Sequence, residues 1–137
     1  MSDAPGAGDG GGGDGVPPIT DETFAEEAAV FVRVMADVAP GVRLDGSPAS
    51  LEALDAALSA SFGHPGMPPA PEALMLGVGC YLGEVIRRHL GGRWNAEGHL
   101  EGAGAAVEAF PLQRARRRLE DPGAGSLAAY FAQLAGR

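Results

Sequence analysis

One stretch constrains this chain more than any other. Pro71 to Leu90 reads as a single helix whose middle, Leu74 to Gly83, carries no charge. Leu74, Val78, Leu82 and Val85 recur at helical spacing, and Met75 and Ile86 widen that stripe. A helix apolar over so much of its circumference has to be surrounded, so it is expected at the centre of the fold. It also contains Gly77, Gly79 and Gly83, each costing about 1 kcal/mol against alanine in a helix. Gly79 and Gly83 share one face, so a second backbone, a ring or a ligand is expected to come close there. Gly91 stands at the left-handed cap position.

The remaining elements are arranged around this helix. The spacing predicts a first helix from Thr20, its cap, with Asp21 and Glu22 in the turn that the helix dipole makes favourable for acids. Its apolar face is expected to be Phe24, Ala28, Phe31, Met35 and Val38, and Pro40-Gly41 stops it. A short extended piece, Val42 to Leu44, leads to a second helix capped by Ser47 or Ser50, with Pro48 suited to its first position. Leu51, Leu54, Leu58 and Phe62 form its buried stripe and Gly63 ends it. Four prolines among residues 64–71 make a loop. Beyond Gly92, Arg93–Ala96 and Ala105–Phe110 read as two short strands joined by a long glycine-rich loop, Glu97 to Gly104. Pro111 opens a helix from Leu112 to Glu120. After a break at Asp121-Pro122-Gly123, Ser126 caps a last helix carrying Leu127, Tyr130, Phe131 and Leu134. The expected class is α+β. It is mainly helical, with about five helices around the central helix 71–90 and a small antiparallel sheet from residues 92–110. Residues 1–19 are a Gly/Asp-rich tail with too little apolar surface to offset chain ordering, so they are expected to be disordered. Residues 20–137 form a single globular domain.

Charge narrows the function classes. There are 18 acidic and 10 basic side chains, net −8, which argues against nucleic acid as a partner because phosphate neutralisation needs the opposite sign. No apolar run is long enough to cross a bilayer, and no basic region followed by an apolar stretch opens the chain. Cys80 is the only cysteine, which excludes a disulfide framework and points to the cytoplasm. His64, His89 and His99 lack metal-ligand spacing, no phosphate-binding loop or nucleophile motif is present, and no metal or cofactor is expected. No catalytic residue is assigned. Arg114, Arg116, Arg117 and Arg118 make the one basic cluster, read as a solvated face balanced by Glu120 and Asp121.

The candidate pocket or interaction residues are Tyr81, Glu84, Arg88 and Trp94. Glu84 ends the charge-free run, and Arg87 and Arg88 follow at the spacings where acid and base meet on a helix. Glu84 either pairs with Arg88 or caps a neighbouring backbone group at the core's edge, or else the four residues line a small polar pocket. Trp94, the single tryptophan, is expected to lie over the central helix with its indole N–H on a carbonyl or on Glu84.

Two segments, Leu44 to Asp55 and Gly79 to Arg88 with Leu90-Gly91-Gly92-Arg93-Trp94, together with Phe110-Pro111 and Ser126 to Tyr130, resemble a family of small bacterial domains common in actinomycetes. Its pattern runs LDxSPxSLxxLD and then YLGEVIRRxLGGxW, and the likeness covers about residues 42–131. Gly46 departs from it, standing where the family often has an aromatic residue. The resemblance implies a fold and a bacterial cytoplasmic setting but no activity. The leading expectation is a non-catalytic protein-interaction or regulatory module of the immunity type, with an acidic surface meeting a protein partner. The alternative is a small-ligand binder or enzyme using a polar pocket around Glu84.

Overall fold

A computed structural model describes residues 21–62, 66, 69–104, 107–121 and 124–136. The expected tail at 1–19, the Thr20 cap, Gly63 and the start of the second expected strand at 105–106 lie outside the described residues, as do most of the proline-rich loop and Pro122-Gly123. The class is α+β, with five helices and one small antiparallel sheet among the described residues. The helices are α1 (Asp21–Val38), α2 (Pro48–Ser61), α3 (Glu72–Leu90), α4 (Pro111–Glu120) and α5 (Leu127–Leu134). The strands are β1 (Arg93–Trp94), β2 (Leu100–Glu101) and β3 (Glu108–Ala109), lying in that order. Among the described residues no helix is long and apolar enough to cross a membrane.

Helix α3 is the centre. Ten of its residues are buried, from Met75 to Ile86, and α1 and α4 pack along it. Its glycines are contact points. A Cβ at Gly77 would lie 2.6 Å from the Phe31 ring, and one at Gly79 would lie 2.5 Å from a Leu112 methyl. At Gly83 it would fall inside the Trp94 indole. The cost of three helical glycines is therefore offset by three close approaches, two of them on the face turned toward β1 and the start of α4.

Three expectations are corrected, the third at Arg118 below. Val38 does not belong to the buried face of α1: it is 71% exposed. It stands in the last turn, and its i−4 and i−8 neighbours, Val34 and Val30, are also on the exposed side. The segment expected as a loop, Glu97 to Gly104, contains the middle strand. Leu100 is fully buried there, pairing Trp94 on one side and Ala109 on the other. Asn95 makes this possible, because its side-chain oxygen accepts from the N–H groups of Glu97 and His99 and tightens the β1–β2 turn.

The last helix docks on α2 through a buried acid. The Asp55 carboxylate accepts from the Leu127 and Ala128 N–H groups at 3.0 and 3.1 Å, and from Arg118 Nε at 3.0 Å. Ser126 takes the next two donors, Ala129 N through its hydroxyl and Tyr130 N through its carbonyl. Of the three N–H groups of the first turn that α5 cannot pair itself, Leu127, Ala128 and Ala129, two are thus satisfied from another helix. Arg118 in turn reaches the Asp55 carbonyl and the Ser59 hydroxyl, at 2.9 and 2.6 Å. It is buried and so leaves the solvated face expected of the arginine cluster, whereas Arg116 and Arg117 are exposed. Arg114 lies over the Tyr130 ring at 4.7 Å, and Arg116 pairs with Glu72 and Glu120.

Candidate functional site

The four candidate residues divide into two arrangements on neighbouring turns of α3. Tyr81, Glu84 and Arg88 line a groove of about 450 Å³ that α1 and residues 44–46 complete. Trp94 is not part of its lining and holds Glu84 from the other side.

The first arrangement is a clamp. Glu84 Oε2 accepts from the Trp94 indole N–H at 2.8 Å and from Arg87 Nε at 3.0 Å, and Oε1 accepts from the other end of the same guanidinium at 3.2 Å. Glu84 pairs with Arg87 at i+3 and not with Arg88 at i+4. Arg87 also lies 3.8 Å from Asp21, whose other oxygen accepts the Trp94 backbone N–H at 2.7 Å. The Glu84 contact raises the pKa of Arg87 further above its ordinary value. Phe24 stacks on Trp94, rings 4.1 Å apart and 18° from parallel. The start of α1, α3 and β1 are thereby joined by one charged network under one aromatic pair.

The second arrangement is a chain of hydroxyls. Ser50 must donate to the Ser47 carbonyl at 2.6 Å, since a carbonyl only accepts. Its oxygen therefore receives the Tyr81 hydroxyl proton, at 2.5 Å, and the Tyr81 oxygen accepts the Gly46 N–H at 3.0 Å. The Ser47 hydroxyl donates to Asp45 at 2.6 Å, and this bond holds the Asp45 carboxyl below its usual pKa. Gly46 has φ +83, and its carbonyl lies 3.0 Å from His89 Nε2. Arg88 lies where a Gly46 side chain would stand. The space beside Gly46 is thus filled by an arginine side chain.

Chemically the two acids and the tyrosine are committed. Glu84 has three donors, Asp45 has two from Ser47, and the Tyr81 proton is engaged. None is poised as a general base or acid. Cys80 is fully buried, and desolvation, with Glu27 and Glu84 nearby, pushes its pKa up to about 12, so it is no nucleophile. Elsewhere, Glu97, His99 and Glu108 gather three donor atoms within 4.8 Å of one another. The His99 ring there is held by Glu108 at 2.7 Å and edge-on to Phe110, which accounts for the cluster as hairpin packing.

Arg33 is a charged lining residue that sequence reasoning did not single out. A signal for it existed: Ala25, Ala29 and Arg33 follow one another at four-residue steps, so two small residues open room beside one cation. Comparison of the chain with family models, with curated proteins and with solved structures returned no match.

Proposed function

We propose that this chain is a non-catalytic protein-interaction or regulatory module of the bacterial cytoplasm that uses the outer face of α1 to hold a basic protein partner. The make-up of that face carries the proposal. Val30, Val34 and Val38 are 45%, 50% and 71% exposed and form one line along the helix. Glu22 and Glu26 continue the same series, and Glu27 and Asp37 flank it, all four exposed. Five acids against Arg33 alone make α1 −4, out of 10 − 15 = −5 for residues 20–137. The valines supply contact area, and the acids select and steer a partner of opposite sign. A second copy would bring like charge against like, which disfavours self-association. The engagement of Glu84, Asp45 and Tyr81 weighs against an enzyme, and one buried thiol suits a reducing compartment.

Size-exclusion chromatography is expected to return a monomer. Capture from cells that make the chain is expected to recover a basic protein that salt releases, and to lose it with Val34→Asp and with the pair Glu26→Lys and Glu27→Lys. Recovery of the same protein by these variants, or a partner as acidic as the chain, refutes the proposal.

A further inference from the structure

Going beyond that surface, we propose that the groove between α1, residues 44–46 and α3 binds a small amphipathic oxyanion: a carboxylate or phosphate head on a short hydrocarbon body. The groove is built from a flank of α1 one residue, about 100°, round the helix from the valine line. Its apolar wall is made by Ala25, Ala29 and Val32 of α1, with Leu44 and Val85 opposite, and its volume of about 450 Å³ falls in the ordinary range for small-molecule sites.

Charge within the groove is unbalanced in one direction. Four charged side chains line it: Arg33, Arg88, Asp45 and Glu84. Glu84 is paired with Arg87 and bonded to the Trp94 indole, while Asp45 keeps its charge and is engaged by the Ser47 N–H and hydroxyl, which leaves two cations against one unpaired acid. Neither Arg33 nor Arg88 has a carboxylate or hydrogen-bond partner among the described residues. In a chain of net −8, two guanidinium groups without an ion-pair partner among the described residues, beside an apolar wall, are a selective feature. A guanidinium presents paired N–H donors that match the two oxygens of a carboxylate or phosphate. Gly46 allows the placement of Arg88, because any side chain there would collide with the guanidinium. The Tyr81 and His89 contacts then hold the Gly46 peptide in its left-handed turn. The head group sits between the arginines and the hydrocarbon lies on the alanines and valines.

Isothermal titration of the full chain with hexanoate, hexyl phosphate and hexanamide tests this. At least one of the two anions is expected to bind about tenfold or more tighter than the amide, equivalent to about 1.4 kcal/mol. Raising salt is expected to weaken it, and whichever anion is tighter identifies the head group. Arg33→Gln and Arg88→Gln are each expected to weaken binding at least about fivefold with the melting temperature unchanged, since both side chains are exposed. Equal binding of anion and amide overturns the proposal, as does no binding of either anion up to about 10 mM. Anion binding that both arginine variants retain in full overturns it as well.

Discussion

Replacing Asp55 with alanine tests the account of how the last helix is held. In the native fold its carboxylate serves Arg118 and two N–H groups of α5, with Asp55 9% and Arg118 7% exposed. Asp55→Ala strands a buried guanidinium, at a cost of about 3–5 kcal/mol for breaking a buried pair from one side. Two N–H groups at the helix start also lose their acceptor, a loss comparable to removing a cap, about 1 kcal/mol. The total, about 4–6 kcal/mol, is a large share of the about 5–15 kcal/mol that holds a domain folded. Most of that loss comes from the stranded charge and less from the missing attraction. Adding Arg118→Met to Asp55→Ala is therefore expected to return at least about 1–2 kcal/mol. Urea denaturation at pH 7, followed by the fluorescence of Trp94, measures both. A loss below about 1 kcal/mol for Asp55→Ala, or a double variant no more stable than the single, would refute the reasoning.

Three further outcomes are expected. Gly83→Ala should cost about 1–3 kcal/mol in thermal melts, because its methyl falls within the Trp94 ring; a neutral result means the indole can move aside. Glu84→Gln should cost about 1–3 kcal/mol in chemical denaturation, since the amide removes the charge paired with Arg87 and sets an NH2 donor against the guanidinium where Oε1 now accepts; equal or greater stability would argue for a strained functional acid. The raised Cys80 pKa means the buried thiol supports the folded state fully below pH 9.0, and that support is lost as pH rises through about 12. Cys80→Ala should flatten this part of the alkaline stability curve, and an unchanged curve would contradict the burial argument.

The helices were legible because their signals are local. Ser47 and Ser126 cap α2 and α5 through their own side chains, Pro48 and Pro111 open α2 and α4, and the α3 stripe repeats at one period. The sheet was only half legible. Its middle strand is two residues long, too short to alternate, and it exists because Leu100 is buried between neighbours and Asn95 closes the turn. The Glu84–Trp94 bond was within reach of the sequence, while the choice of Arg87 over Arg88 was not, because Arg88 lies in the space left by Gly46, 42 positions away. Asp55 and Arg118 are 63 positions apart, and neither carries a local mark of burial. Spacing rules read neighbours on one element, and this pair exists only once three helices have met.

That meeting also sets a schedule for synthesis. A chain emerging from the ribosome can bring α1, α3 and the α3–α4 contact together in order, and Arg118 can then reach Asp55, but α2 lacks its main packing partner and Asp55 its two backbone donors until α5 arrives. The final helix is therefore the latch of the nascent domain. A transcript cut short within it yields a product with an open seam along α2, which is the kind of surface that chaperones and proteases recognise.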